Sequence, residues 1–578
     1  MKTCKITFLP DNKTVIAKPG STILEAAQDS GVYITSVCGG DAVCGKCRVI
    51  IKSGKVEAKP TGLLTPEEIK EGIILACNSK VVEDIIVEIP PESRAEEGEV
   101  LLKGKLIGKS SGRRKGSAKG NYGLAVDIGT TTVVAHLVDK VSKKTMGVAG
   151  AFNRQIAYGD DIITRIIFAG EKSGMEKLNT AVVGNINNLI SELVSESNIK
   201  TDDITSIMVA GNTTMIHLLM KQDPGYLRRV PYLPSSKRVP IIRAAELGIR
   251  INPAGLLSCA PNVSSYVGGD VIAGILVSGM TERDELAMYV DMGTNGEMVL
   301  GNKEWLASVA CSVGPAFEGS GIKSGTRAVK GAIDKVSISK SDYKASVSSI
   351  GKAKPKGICG SGLIELISEM LKARIINKAG KIANDIKSPF IRKGDEGLEY
   401  VVVPAKDSQT GRDIAITQPD IDNIIRSKAA VYAGARTLLK KMHFTFNDIK
   451  KFYLAGAFGS HLDIEKSIAI GMLPDIPLKK FRYIGNGSVM GASMILLDGS
   501  KMEKAQGLAD KMAYVDLSGD NIFHEEFISA MFLPHTDVVL FPSVADFTTK
   551  DTKLTKKKIS RSASLRGPKG NPRPKDAG

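Results

Sequence analysis

The chain has 578 residues, 43% hydrophobic and 24% charged, which excludes a single core and a disordered polymer and implies about three or four domains at roughly 100 to 200 residues each. The net charge of +16 is confined to two segments: residues 103–119 hold seven Lys or Arg and no acid, and residues 549–578 hold ten against two acids. The remainder is close to neutral, so neither a nucleic-acid partner nor a membrane surface is expected of the folded body. No apolar run approaches the roughly 20 residues that span a bilayer, and the start MKTCKITFLP lacks the apolar region of an export signal. A cytoplasmic location is expected.

Residues 2–8 and 13–18 alternate apolar and polar around Pro10-Asp11-Asn12, the pattern of a β-hairpin. Thr22 and Glu25 form a capping box ahead of Ile23, Leu24, Ala26 and Ala27, so a helix follows and Gly31 ends it. Cys38, Cys44 and Cys47 then crowd into ten residues, and Cys77 is a distant fourth. Beyond them, Arg48–Ile51 reads as a strand, Pro66 opens a second helix, and residues 82–89 close with a strand. Three cysteines interleaved with Gly39, Gly40 and Gly45 can wrap backbone around a small inorganic cluster, and a [2Fe-2S] centre is the direct reading. A four-cysteine zinc site is the alternative, but zinc motifs favour paired CxxC units and only one is present. Cys4, Cys259, Cys311 and Cys359 show no such spacing and are expected to be buried thiols.

This order of elements resembles the β-grasp fold of plant-type and adrenodoxin-type ferredoxins over residues 1–90. Plant spacing puts four residues between the first two cysteines; here there are five, as in the adrenodoxin-like branch. The resemblance implies that Cys38 and Cys44 hold one iron while Cys47 and Cys77 hold the other.

Residues 91–121 read as a flexible basic linker. Within it, GKLIGKS (104–110) imitates a phosphate-binding P-loop but has three residues between the glycines where four are needed. Next comes VDIGTTTVVAHLVD, with Asp127 at the end of an apolar strand, and the design recurs as YVDMGTNGEMVLG around Asp291. Two such hairpins indicate an internal duplication. Their Gly and hydroxyl residues can wrap phosphate oxygens with backbone N–H groups while the aspartates position Mg²⁺ or water.

These hairpins resemble those of the acetate and sugar kinase, Hsc70 and actin superfamily, in which two related lobes clamp ATP. Asp127, Gly129, Thr130 and Thr131 match the first phosphate motif, and Asp291, Gly293, Thr294 and Asn295 the second. The strand running into Gly456 and Gly459 matches the adenosine turn, with Gly485-Asn486-Gly487-Ser488 as a further candidate. The resemblance implies Asp127 and Asp291 as catalytic residues. Between the hairpins, residues 175–194 show a core-facing helical stripe, and His217 lies on an apolar stretch as a packed histidine rather than a catalytic one. The expected fold is therefore multidomain α/β: the ferredoxin domain (1–90), the linker, a middle domain with the first hairpin (122–200), a large actin/Hsc70-like ATP-binding domain (201–545), and a disordered basic tail (546–578).

The whole arrangement resembles the reductive activators of corrinoid proteins over residues 1 to about 545. Beyond the cysteines and phosphate turns, the resemblance rests on Tyr158-Gly159-Asp160-Asp161, Gly211-Asn212-Thr213-Thr214, Gly268-Gly269-Asp270, Gly314–Gly319 and Gly360-Ser361-Gly362. It implies one-electron reduction of a Co(II) corrinoid to Co(I) in a methyltransferase system, coupled to ATP hydrolysis. Also implied are a transient corrinoid-protein partner, an upstream electron donor and a homodimer. Two alternatives remain: an ATP-coupled donor to another low-potential enzyme, and a non-enzymatic redox-sensing binding protein.

Overall fold

The computed structural model describes residues 3–36, 40, 42, 45–90, 93–94, 121–230, 232, 234–293, 295–456 and 462–544. Cys38, Cys44, Thr294 and Gly459, the P-loop imitation and the basic tail lie outside the described residues.

Cys4–Leu9 and Lys13–Ala17 pair antiparallel, and Ile85–Glu88 joins Cys4–Leu9 in parallel. With Arg48–Ser53 and Ile73–Leu75 they complete a five-stranded sheet, the β-grasp arrangement. The helix Ile23–Asp29 starts at the Thr22 capping box and buries Ile23, Leu24, Ala26 and Ala27 in one core with Ile6, Phe8 and Val87.

Two six-stranded sheets follow, built to one plan. In the first, Tyr122–Ile128, Thr132–Asp139 and Lys144–Phe152 form an antiparallel meander, and Ile204–Gly211 and Leu256–Cys259 extend it in parallel from Tyr122–Ile128. In the second, Ala287–Met292, Asn295–Gly301 and Leu306–Ser312 form the meander, while Lys451–Ala455 and Phe481–Gly485 extend it in parallel. Each meander carries a long helix on its outer strands, Gly174–Ser197 in the first lobe and Gln418–Lys441 in the second.

This topology corrects the boundary expected at residue 200. Ile204–Gly211 is hydrogen-bonded directly to the first phosphate strand, so the first lobe continues at least to Cys259 and the second sheet starts at Ala287. The sequence stretch after 200 looks like a new unit only because the long helix intervenes between neighbouring strands.

The lobes meet through the helices Gly269–Ser278 and Gly487–Leu497, which pack on each other. Gly491 permits that approach: a Cβ there would lie 2.1 Å from the Ala273 carbonyl oxygen. The junction core mixes Ala125, Met208 and Ala210 of the first lobe with Tyr289, Val299 and Tyr453 of the second. Among the described residues no helix is long and apolar enough to cross a membrane.

Candidate functional site

Cys47 immediately precedes the strand Arg48–Ser53 and is buried, and Cys77 lies in the short turn Ala76–Asn78. Their Sγ atoms are 3.2 Å apart, too far for a disulfide at about 2.05 Å and close enough for one metal ion to bind both. Hydrogen bonding with Cys77, helped by nearby backbone amides, draws the Cys47 thiol down to about 7 and favours the thiolate that soft metals require. Arg48 fastens the preceding loop through the Gly45 carbonyl and a 3.0 Å ion pair with Glu68, and the Ser93 hydroxyl donates to the Lys46 carbonyl at 3.1 Å. The thiolate donor set and the converging sulfurs fit an iron-sulfur cluster.

Between the lobes lies a cleft of about 270 Å³. Asp127, Gly129, Thr130, Thr131, Asp291, Gly293, Asn295 and Gly456 all line it, so residues 329 positions apart in the chain converge on one space. The turns are tight: the Gly129 N–H donates to the Thr132 carbonyl at 2.9 Å, and the Gly293 N–H to the Asn295 carbonyl at 3.0 Å. Gly456 has φ +89, and a Cβ there would lie 2.5 Å from the Met292 carbonyl oxygen, so this turn closes against the second phosphate strand only as glycine.

Residues outside the two Asp-x-Gly turns complete the site, and Asn486 and Ser488, expected near the adenosine turn, meet Asp127. Asn486 Nδ2 and Ser488 Oγ donate to the two oxygens of Asp127 at 2.8 and 2.7 Å. Glu297 stands directly opposite Asp291 in the hairpin register, which the spacing D-x-G-x-x-x-E could have disclosed. Asp270, from Gly-Gly-Asp, joins them at the wall of the cleft. Thr131 Oγ1 donates to Glu318 across the lobes at 2.8 Å, and the Arg327 guanidinium sits 4.4 Å over the Phe152 ring. Arg327 is the one basic side chain among the described residues lining the cleft, and Gly360 and Ser361 add the start of the helix Gly360–Lys372.

The carboxylates of the cleft raise one another. Burial, then the charge of Asp127, pushes Asp291 up to about 6, and burial, then Asp291, pushes Asp270 up to about 7. Glu297 is raised well above the carboxylate range by burial and by Asp270 and Asp291. Burial also raises Asp127, opposed by the Ser488 and Asn486 hydrogen bonds. Such a wall favours a divalent cation.

His217 is buried, with Nδ1 2.8 Å from the Thr213 carbonyl, as a packed histidine should be. Cys4, Cys259, Cys311 and Cys359 are buried too. Cys359 reaches the cleft wall, but burial raises its thiol pKa, which disfavours a nucleophile there.

A ferredoxin domain joined to a two-lobed nucleotide clamp is the class that this fold and site define. Comparison with known proteins agrees. Residues 6–82 match the model of a 2Fe-2S iron-sulfur cluster binding domain, 122–283 the RACo middle region, and 285–545 the C-terminal domain of RACo, the ASKHA domain. The corrinoid activation enzyme RamQ of Eubacterium limosum is 33% identical over 417 residues, covering 70% of this chain and 69% of that protein. A Co(II) methylated amine-specific corrinoid protein reductase of Methanosarcina barkeri is 23% identical over 423 residues, covering 68% and 73%. A solved structure described as a reductive activator for corrinoid, iron-sulfur protein shares 39% identity at a TM-score of 0.70, covering 94% of this chain and 100% of that one. The chain belongs to the family of reductive activators of corrinoid proteins.

Proposed function

We propose that this chain delivers one electron to a corrinoid protein, taking its cobalt from Co(II) to Co(I), and couples the transfer to Mg-ATP hydrolysis. The observation that carries the reading is the union, in one chain, of a thiolate pocket in a ferredoxin fold with a lobe cleft lined by both Asp-x-Gly turns. A [2Fe-2S] cluster held by Cys38, Cys44, Cys47 and Cys77 supplies a low-potential electron, plant-type centres lying near about −400 mV.

Each roughly 59 mV uphill in a one-electron step costs about tenfold in equilibrium, so transfer to a lower-potential cobalt needs a second source of free energy. Nucleotide bound between the lobes supplies it by favouring the complex in which the reduced acceptor is stabilised. In this reading the turns formed by Gly129, Thr130 and Thr131 and by Gly293, Thr294 and Asn295 wrap the phosphates, the Gly129 and Gly293 N–H groups closing the turns themselves, and Gly456 and Gly459 give room to the adenosine. Asp127, fixed by Asn486 and Ser488, would orient the attacking water, and Asp291 would help hold Mg²⁺, which would neutralise phosphate charge. A homodimer, a separate upstream electron donor and a cytoplasmic setting belong to the same proposal.

The test is to reconstitute and reduce the cluster, add a Co(II) corrinoid protein from a methyltransferase system, and follow the Co(I) absorbance with and without Mg-ATP. ATP-dependent Co(I) formation is expected. Its absence with every such corrinoid protein overturns the reading.

A further inference from the structure

The ferredoxin domain touches the first lobe at two polar contacts among the described residues. Tyr33 Oη donates to Asp160 Oδ1 at 3.4 Å, and Lys177 pairs with Asp29 at 2.5 Å. Between the two surfaces is a cavity of about 210 Å³, walled by Gln28, Ile34 and Ser36 on one side and by Tyr158, Asp160 and Phe168 on the other. Ser36 Oγ and Asp160 Oδ2 are buried there without a hydrogen-bond partner among the described residues. Buried polar atoms left unpaired weaken the joint that holds them, and Ser36 lies two residues before Cys38.

The other end of this joint leads to the cleft. Arg165 is fully buried; its Nε donates to the Gly159 carbonyl at 2.8 Å and its Nη2 to the Thr130 carbonyl at 2.6 Å. One rigid side chain thus ties the first phosphate turn to the peptide that leads into Asp160. A buried guanidinium cannot give up a carbonyl partner cheaply, so a displacement of Thr130 is passed to Gly159. Arg327, which lines the cleft, also exerts its charge on Asp160 and Tyr33.

We propose that Arg165 couples nucleotide occupancy to the docking of the ferredoxin domain. Phosphates seated in the turn at Thr130 shift Gly159 and Asp160, break the weak Tyr33 contact and release the cluster-bearing domain from the first lobe. Arg165 is here a positioning residue, and the proposal rests on reading the cleft as an ATP site. Its consequence is that the electron-carrying domain becomes free to reach an acceptor only when nucleotide is bound.

The experiment uses the full chain with its cluster reconstituted and reduced, and a nitroxide at Glu196→Cys, an exposed position on the helix Gly174–Ser197. Pulsed EPR measures the cluster-to-label distance with and without Mg²⁺ and a non-hydrolysable ATP analogue, while calorimetry reports binding. In the wild-type background one narrow distance population is expected without nucleotide and a broad one with it. Tyr33→Phe, which keeps the ring, is expected to be broad in both conditions and, because coupling is reciprocal, to bind nucleotide more tightly than wild type. Arg165→Gln is expected to stay narrow in both; should it fail to fold, Tyr33→Phe carries the test. An unchanged wild-type distribution with analogue bound overturns the proposal, as does a Tyr33→Phe protein that retains the nucleotide-dependent change. Absence of any nucleotide binding overturns the ATP-site reading and this proposal with it. A nucleotide-driven change without Co(I) formation supports the coupling and removes only the corrinoid function.

Discussion

Ser488 donates its hydroxyl to Asp127 at 2.7 Å across 361 residues of chain, and Asn486 holds the other carboxylate oxygen at 2.8 Å. The acid of the first phosphate turn is therefore oriented by a loop of the second half, and the two hydrogen bonds favour its ionised form against burial. A hydrogen bond to a charged group is worth about 1.5–3 kcal/mol. Ser488→Ala is expected to slow ATP hydrolysis by roughly 10- to 100-fold and to weaken nucleotide binding less. Steady-state ATPase assays beside calorimetric titration check the split, and a loss of affinity with kcat unchanged would place Ser488 in binding alone.

The carboxylates of the cleft predict a pH effect on stability. Asp270 and Asp291 rise from the ordinary 3.8 to about 7 and about 6 in the folded protein. Between about pH 4 and 7 the folded state therefore binds more protons than the unfolded one, and this contribution to stability falls as pH rises through that window. Asp270→Asn removes part of the repulsion. In nucleotide-free, metal-free protein it is expected to raise Tm at pH 8 by at least about 2–4 °C, the shift that each kcal/mol produces in a large domain, and by less at pH 4. Thermal melts of both proteins at the two pH values decide the matter; a gain that does not depend on pH would contradict the assignment.

Electron delivery and nucleotide binding should separate by mutation. Cys47→Ser is expected to abolish the visible absorbance and EPR signal of the reconstituted cluster, and with them Co(I) formation, while leaving nucleotide affinity unchanged. Asp291→Asn is expected to do the reverse, keeping the cluster spectrum and losing ATP-dependent turnover. A variant that loses both properties together would show that the sites depend on each other for folding.

Gly456 offers a steric test. With φ +89 and a hypothetical Cβ 2.5 Å from the Met292 carbonyl oxygen, Gly456→Ala must shift the strand that carries Asp291. Strain of this kind costs about 1–3 kcal/mol, so a lower Tm and a nucleotide affinity reduced by roughly tenfold are expected. Gly499→Ala, where a Cβ meets nothing within 4 Å, is the control and should leave affinity unchanged.

What could be read along the chain was local chemistry. The Thr22–Glu25 capping box, the cysteine spacing, the two Asp-x-Gly hairpins and the helical stripe at 175–194 all depend on residues a few positions apart, where backbone geometry and periodicity are encoded directly. Folding alone decided which distant pieces meet. Ile204–Gly211 lies beside Tyr122–Ile128 rather than in the later domain, Asp270 and Glu297 join the two aspartates, and Ser488 reaches Asp127. Arg165 links the phosphate turn to the loop on which Tyr33 docks. These are contacts of long sequence separation between side chains that show no period, and strand order and lobe packing bring them together.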